Sequence, residues 1–539
     1  MYDQVFCSLL VEVSNMKTRF FNYTAAVLLL SGATVCQVRS QGAPSIADNV
    51  NKASQLYSSH KLDEAKQLFE ETLKQAEQNG PKDASIGSCL NGLGLIAEQQ
   101  GHANEAADLY KRAMQAKETA EGPDDPSLAA VIMNLAKLDA SQGKEADAEA
   151  LYKRAIAIRE KALGAYSPDL AVSLNGLAHL YQEQKKYSQA EPLVNRTLSI
   201  MEKKLGPDNP AVAVELNNLA AVYRAEDRAK DAEPLYKRSL SIFEKAYGAN
   251  SEPVAADLNN LSGLLRQQSR FEDAEPYAVR TVTVLDGVTP PQPERLIIAV
   301  DNLAMVYKGE SKYPEAKTAY ARAIELIEQS KGADSDQLMA PLTNLAVIHN
   351  ILGETEQADA LLRRVVSIAE KKLGPDDPRL ATALSNLADQ LRQELKFDEA
   401  AQLLKRSIEI RSNSLGPDST EVADAHRDLA LLYKEAGNVA DAEPSFKKDV
   451  EIHEKNAAAD PGGLATSLMN LAKLYREQGK YSDAEPLYKR ALDLRVKTFG
   501  ENDMSVAATL RNYAILLRKM GNESKAVDLD AQAEKIEDQ

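Results

Sequence analysis

An alanine recurs every 42 residues in this chain, eleven times and without a slip. A leucine column shares the period, with a tyrosine as its last member, and a degenerate copy precedes both columns with Leu56-Tyr57 and Asp63-Glu64-Ala65. This register predicts about twelve copies of one structural unit from residue 46 to the C-terminus. The alanines are Ala106, Ala148, Ala190, Ala232, Ala274, Ala316, Ala358, Ala400, Ala442, Ala484 and Ala526.

The first half of each unit is predicted to be a helix. In the unit that starts near Asn209, this asparagine is expected to cap the helix and Pro210 to occupy its first turn, where a missing N–H is tolerated. Leu216, Leu219 and Tyr223 follow three and four residues apart, which is the spacing of one apolar stripe.

The second half of each unit is predicted to be an antiparallel helix joined by a tight hairpin. A capping box is expected to open this second helix, with Ser188-x-x-Glu191 and Ser482-x-x-Glu485 as examples. One helix pair cannot bury its own apolar face, so the units must stack. A glycine column suited to positive φ marks the hairpin at Gly101, Gly143, Gly353, Gly437, Gly479 and Gly521.

Three stretches resemble the tetratricopeptide repeat in its 42-residue, kinesin-light-chain-like form: residues 205–210 (Leu-Gly-Pro-Asp-Asn-Pro), 216–220 (Leu-Asn-Asn-Leu-Ala) and 235–238 (Leu-Tyr-Lys-Arg). The resemblance covers nearly all of 46–539. It implies an all-α, right-handed superhelical solenoid of about twelve helix-turn-helix repeats and a non-catalytic role, with first helices lining a concave groove for a peptide or protein partner. No heptad coiled coil precedes the repeats, so motor and cargo functions are not carried over.

Four segments are predicted: a leader at 1–42, a degenerate first repeat at 46–83, ten 42-residue repeats at 84–503, and a last repeat with a polar capping helix at 504–539. The leader resembles a signal peptide that starts at Met16, which would place the protein in the periplasm, the envelope or outside the cell. The alternatives are an amphipathic leader on a cytoplasmic protein and, more weakly, a lipid-modified Cys36. No other stretch is long and apolar enough to cross a membrane.

Composition narrows the function. The chain has 64 Lys and Arg and 80 Asp and Glu, and this net charge of −16 argues against nucleic acid as the main ligand. The six histidines are scattered, and neither a phosphate-binding loop nor a nucleophile elbow occurs, so we expect no enzyme activity, no metal and no cofactor. Repeated Lys-Arg pairs on the second helices, such as Lys237-Arg238, are interpreted as a salt-bridged outer face.

An asparagine column lies opposite the packing stripe of the first helices, by the 100° step of a helix. An amide donates and accepts at once, which suits the backbone of an extended peptide. The alternative is that these amides bridge adjacent helices, and the two roles can coexist. The column comprises Asn134, Asn218, Asn260, Asn302, Asn344, Asn386, Asn470 and Asn512.

A basic column lies on the same face, interrupted by Asn350. Cations in the last turn of a helix complement its dipole, but Glu98, Ala140 and Gln182 stand there in the early units, which favours a basic stripe for an acidic partner segment. The column comprises Arg224, Arg266, Lys308, Arg392, Lys434, Arg476 and Arg518.

The leading hypothesis is a protein-interaction scaffold that holds an extended, acidic segment of a partner protein in the groove. An assembly role through the convex face or the solenoid ends is the first alternative, and an enzyme is the second. Two loops depart from the Leu-Gly-Pro-Asp pattern, at 286–293 and 457–463, and are interpreted as tolerated variants, with hinges or ligand contacts as the other possibility.

Overall fold

The computed structural model describes residues 45–538, so the predicted leader and the start at Met16 lie outside the described residues. The described part is all-α, with 24 α-helices and no strand. The chain divides into two compact units, Met1–Leu180 and Tyr181–Gln539, and the division falls inside one helix.

The described helices of the first unit are α1 (Ile46–Ser58), α2 (Leu62–Gln78), α3 (Ala84–Gln99), α4 (Ala103–Glu121), α5 (Pro126–Ser141) and α6 (Glu145–Leu163), followed by α7 (Pro168–Glu183), which spans the division. The second unit contains α8 (Tyr187–Leu205), α9 (Pro210–Ala225), α10 (Ala229–Tyr247), α11 (Glu252–Gln267), α12 (Phe271–Asp286), α13 (Pro293–Gly309), α14 (Tyr313–Lys331), α15 (Met339–Ile351), α16 (Thr355–Lys372), α17 (Pro378–Gln393), α18 (Phe397–Leu415), α19 (Thr420–Glu435), α20 (Val439–Lys455), α21 (Pro461–Glu477), α22 (Tyr481–Phe499), α23 (Met504–Lys519) and α24 (Glu523–Glu537). Odd-numbered helices are the first helices of their repeats and even-numbered ones the second.

The predicted start of the first helices is confirmed in α9. Asn209 Oδ1 accepts a hydrogen bond from the Ala211 amide at 2.9 Å, and Pro210 occupies the first turn. Asp125, Asp377 and Asp503 cap α5, α17 and α23 in the same way. These caps fix where the four helices begin, because they satisfy amides that have no partner inside the helix.

The capping boxes predicted for the second helices are wrong. The helix α8 begins at Tyr187, so Ser188 already lies in its first turn and Lys186 is the cap residue, without a side-chain hydrogen bond. The helix α22 begins in the same way at Tyr481, after Lys480. The second helix therefore begins earlier than a capping box at Ser188 requires, and the hairpin before it is shorter.

The hairpin column takes positive φ, as predicted. Its glycines lie at φ of 74° to 81°. Where the column lacks glycine the conformation persists, at φ of 57° to 60°, even for the exposed Leu395. The packing of the repeat therefore outweighs the conformational free energy that a residue other than glycine loses in the left-handed region.

The core follows the two columns read from the sequence. All eleven alanines of the alanine column have 0% exposure, and the leucine column is buried throughout the repeats of the two units. Consecutive helices pack against each other from α1 to α6 and from α8 to α24. First helices of successive repeats also touch directly, as in α11 with α13 and α21 with α23. Polar side chains on neighbouring first helices are thereby brought within reach of each other.

Candidate protein-binding surface

Two members of the asparagine column donate to neighbouring first helices, whereas Asn218 and Asn512 donate within their own helices, to Glu215 Oε2 at 3.2 Å and to Ala508 O at 2.8 Å. Asn302 Nδ2 donates to Asn259 Oδ1 and to Ser262 Oγ, both at 3.3 Å. In the first unit, Asn134 Nδ2 donates to Asn91 Oδ1 at 2.9 Å. These contacts favour the bridging interpretation for those repeats, and a role in peptide binding stays a prediction. Half-buried amides occupy the same position at Asn218, Asn260, Asn344, Asn386, Asn470 and Asn512.

The basic column also reaches across to the next first helix. Arg392 Nη1 bonds Glu435 Oε2 at 2.8 Å, and Lys434 Nζ lies 2.8 Å from Glu477 Oε1. Each acceptor lies in the next repeat, one residue beyond the equivalent position. The sequence offered a helix-dipole role and a ligand role for these cations, and the structure adds a third, an ion pair between repeats.

The residue at that acceptor position differs along the column, and the partner of the cation differs with it. Arg224 meets a neutral amide there and donates to Gln267 Oε1 at 3.1 Å. Lys308 would meet Ile351, an apolar residue. Lys308 is half-buried and forms no ion pair with any of the residues 45–538, and burial lowers the pKa of its ammonium. The positive charge is therefore retained at some positions of the column and cancelled at others.

Arg266 and Arg476 turn to the asparagine column instead, because Gly309 and Lys519 occupy their acceptor positions. Arg266 Nε donates to Asn302 Oδ1 at 3.0 Å, and Arg476 Nη1 lies 3.4 Å from Asn512 Oδ1. The two columns that the sequence separated are thus in direct contact on the same face.

Lys473 belongs to this face, and the sequence analysis did not single it out. It lies one helical turn before Arg476, is half-buried, and makes no ion pair within the part of the chain that the structure describes. Burial lowers the pKa of its ammonium, and the charges of Arg476, Lys434 and Arg495 lower it further, while Glu477 acts the other way. The three-residue spacing of Lys473 and Arg476 was the signal that could have identified it.

The second helices carry arginines in their Lys-Arg pairs and at the same position of other repeats. These arginines have different ion-pair partners from the first-helix cations. Those whose ion pairs are resolved bond a carboxylate on the second helix of the preceding repeat. This supports the interpretation of the pairs as a salt-bridged outer face. Examples are Arg238 with Glu202 at 2.7 Å, Arg280 with Glu244 at 2.6 Å, Arg364 with Glu328 at 2.5 Å, Arg406 with Glu370 at 2.5 Å and Arg490 with Glu454 at 2.6 Å.

A buried serine, histidine and aspartate meet beside the variant loop at 457–463. Ser467 Oγ donates to Asp449 Oδ1 at 2.8 Å and lies 3.1 Å from His453 Nδ1. His453 Nδ1 is also the atom that faces Asp449 Oδ1, at 2.9 Å. In a hydrolase triad the serine and the carboxylate contact opposite ring nitrogens, so that the imidazole can pass a proton between them. Here both share Nδ1 in a closed core, which makes the cluster a structural contact.

Metal binding and membrane insertion also bear on the site. Among residues 45–538 no group of three or more His, Cys, Asp and Glu side chains is placed to hold a metal ion. None of the helices in that range is long and apolar enough to span a bilayer.

Comparison with known proteins identifies the repeat. The family model described as tetratricopeptide repeat matches residues 45–119, 127–203, 211–286, 295–371, 379–455 and 463–537, well over half of the chain. The chain belongs to the tetratricopeptide repeat family. Members of this family typically act as non-catalytic scaffolds, which supports a protein-interaction role and protein partners for this chain. No curated protein sequence matches it.

Several solved structures are similar to parts of this tetratricopeptide repeat chain. BtubC (BKLC) from P. vanneervenii is 20% identical over 42% of this chain and 91% of its own, with a TM-score of 0.38. A putative kinesin light chain from Podosopora anserina is 18% identical over 38% of this chain and 97% of its own, with a TM-score of 0.35. The apo form of RapI is 14% identical over 53% of this chain and 98% of its own, with a TM-score of 0.38.

Proposed function

We propose that this tetratricopeptide repeat protein is a non-catalytic scaffold that holds an extended, acidic segment of a partner protein along the face of its first helices. The observation that carries the proposal is a set of half-buried cations on that face without a carboxylate partner among the described residues: Arg224, Lys308, Lys473 and Arg476. A half-buried cation is solvated less completely than an exposed one, so an incoming carboxylate compensates a charge that water does not fully stabilise.

The contrast with the second helices supports this assignment. Arginines at the Lys-Arg position there hold a carboxylate of the preceding repeat, as Arg238 holds Glu202. The protein is acidic and forms ion pairs with the arginines of its second helices. The four first-helix cations nevertheless have no carboxylate partner among the described residues. The asparagine amides beside them supply donors and acceptors for the backbone of an extended segment, whatever its sequence.

The proposal is tested by selecting peptides from a random displayed library on the immobilised full chain and measuring their affinity by fluorescence anisotropy. We expect selected peptides to be rich in Asp and Glu, and their binding to weaken as salt shortens the Debye length from ~10 Å at about 0.1 M to ~3 Å at about 1 M. Selection of basic or purely apolar peptides, or binding that salt does not weaken, would refute the acidic-segment proposal.

Two charge-neutralised variants sharpen the test. The double variant Arg224→Gln, Lys308→Gln removes unmatched first-helix charge, and Arg238→Gln, Arg280→Gln removes the same charge from ion-paired positions on second helices. We expect the first variant to bind the selected peptides more weakly and the second to bind them as the unaltered protein does. Arg392 and Lys434 are less suitable, because neutralising them also breaks ion pairs between repeats. Equal loss in both variants would mean that only net charge matters.

A further inference from the structure

Lys473 on α21 occupies a repeat position whose side chain meets the preceding first helix. In the first unit this position holds Lys137 on α5, and Lys137 Nζ lies 3.4 Å from Glu98 Oε1 on α3. In the repeats of α19 and α21, Lys434 stands at the same repeat position as Glu98. A pair of opposite charges in the first unit is therefore replaced by two lysines here.

Another repeat shows how close the two side chains come. Gly263 on α11 stands at the repeat position of Lys473, and Arg224 on α9 at that of Lys434. A Cβ atom at Gly263 would lie 3.4 Å from Arg224 Nη2, so the cation of one first helix crosses over this position on the next. Lys434 extends in the same direction, because its Nζ lies 2.8 Å from Glu477 Oε1 on α21. The fold therefore brings the side chain of Lys434 against Lys473.

Two guanidinium groups complete the surroundings of Lys473. Arg476 follows it by one helical turn, and Arg476 Nη1 lies 3.4 Å from the neutral Asn512 Oδ1. Arg495 of α22 is buried behind α21, where its Nη1 contacts Met469 Sδ at 3.7 Å, one turn before Lys473. A helical side chain leans over the turn that precedes it, so Lys473 extends towards Met469 and Arg495.

These neighbours disfavour the protonated form of Lys473. Burial lowers the pKa of its ammonium, and the charges of Arg476, Lys434 and Arg495 lower it further, while Glu477 acts the other way. An amine that has lost its proton has a free electron pair and acts as a nucleophile, and a desolvated lysine beside other cations is activated in this way. The same cations would stabilise a negative charge that formed on the end of the side chain.

We propose that Lys473 is a modification site that reacts reversibly with carbon dioxide to form a carbamate. The electron pair of the unprotonated Nζ forms a bond to the carbon of carbon dioxide, one C–O π bond breaks, and its electron pair moves to that oxygen. Nζ then releases one proton to solvent, which leaves an anionic carbamate. Lys434 and Arg476 are the donors of charge-assisted hydrogen bonds to its oxygens.

The charge of the product selects this electrophile. An aldehyde would form an imine, which has no negative charge for the surrounding cations to stabilise. A carbamate replaces the positive charge of Lys473 by a negative one between Lys434 and Arg476, and so relieves the repulsion among them. The reaction needs no partner protein, so this inference goes beyond the proposed function and does not depend on it.

The experiment traps the carbamate on the full chain. The protein is equilibrated with isotopically labelled bicarbonate and carbon dioxide, ethylated with triethyloxonium, and digested for mass spectrometry. We expect the labelled ethyl carbamate on Lys473 and none on Lys137, which is paired with Glu98 in the same molecule. Absence of the adduct from Lys473, or equal adducts on both lysines, would overturn the proposal. The adduct should also be lost when carbon dioxide is removed before trapping, and persistence would mean an irreversible product of another electrophile.

Two charge-reversal variants test whether the neighbouring cation is the cause. Lys434→Glu gives Lys473 the kind of partner that Lys137 has, and we expect the carbamate on Lys473 to be lost. Lys489→Glu makes the same change on α22, where Lys489 is exposed and pairs with Glu485 at 2.6 Å, and we expect the carbamate to be kept. Full carbamate in Lys434→Glu, or equal loss in both variants, would contradict the role of Lys434. Circular dichroism checks that both variants keep their helicity, and the comparison within the unaltered chain decides the proposal if one does not.

Discussion

Replacing the buried Asp257 by asparagine should make the stability of the second unit depend less on pH. Asp257 lies on α11 with 1% exposure, and Asn217 Nδ2 donates to its Oδ1 at 2.5 Å. Burial raises the pKa of this carboxyl from 3.8 to about 7, although hydrogen bonds from Ser239 and Asn217 act in the opposite direction. The folded chain therefore keeps a proton here that the unfolded chain releases near its ordinary pKa of 3.8.

The sign and the size follow from this difference. Because the folded state holds more protons between pH 3.8 and about 7, stability falls as the pH rises through that window. Each pKa unit corresponds to about 1.4 kcal/mol, so full ionisation of Asp257 costs on the order of 4 kcal/mol. Between about pH 5 and about pH 8 the cost grows by roughly 2–3 kcal/mol. In Asp257→Asn the new amide oxygen would accept the hydrogen bond from Asn217, and the side chain would not ionise as the pH rises.

The assay is urea unfolding followed by circular dichroism at the two pH values, with amide hydrogen exchange in α9 to α11 as a local probe, because repeat arrays need not unfold in one step. We expect the unaltered chain to lose stability towards high pH in this region and Asp257→Asn to lose less, by roughly 2–3 kcal/mol. The exposed Asp108 supplies the control, since Asp108→Asn removes the same charge without burial. Identical pH dependence in the unaltered chain and in Asp257→Asn would refute the reasoning.

Three further changes test the packing. Gly463→Ala would place a methyl group 2.7 Å from the His453 ring, and we expect a loss of about 1–3 kcal/mol in unfolding free energy by urea titration, with no loss counting against the close approach. Leu395→Gly relieves a side chain held at φ 60°, and should raise the midpoint of thermal unfolding by an amount equivalent to about 0.5–1 kcal/mol; a lower midpoint would contradict that. Removing the last repeat, residues 504–539, should leave a shorter folded array with proportionately less helical signal, whereas complete loss of helicity would argue against stacking as the source of stability.

The repeat made most of the fold predictable. The alanine column marks positions where helices approach closely, because a side chain larger than a methyl group does not fit there. Its 42-residue period therefore predicts which positions pack between helices in every repeat. The hairpin glycines report positive φ in the same way. The capping box failed because Ser188 and Glu191 satisfy the spacing rule equally well inside the first turn, and only the position of Tyr187 in the fold decides between the two.

The candidate surface was predictable in part. Periodicity placed Arg392 and Arg476 on the same face, but it could not show that one meets Glu435 and the other an asparagine amide, since that depends on where the next first helix lies. The burial of Asp257 depends on the side chains packed around it. Lys473 was missed for the same reason, because its neighbours in space come from α19 and α22.

Photo-crosslinking shows which helices a bound partner segment contacts. A photoreactive benzophenone amino acid is placed at Leu431 on a first helix or at Val279 on a second helix, two positions with similar exposure of 42% and 39%. Each protein is irradiated with a library-selected acidic peptide, and the products are mapped by mass spectrometry. We expect a salt-sensitive crosslink from position 431 and none from position 279. Equal labelling at both positions, or labelling at 279 alone, would contradict a binding surface on the first helices.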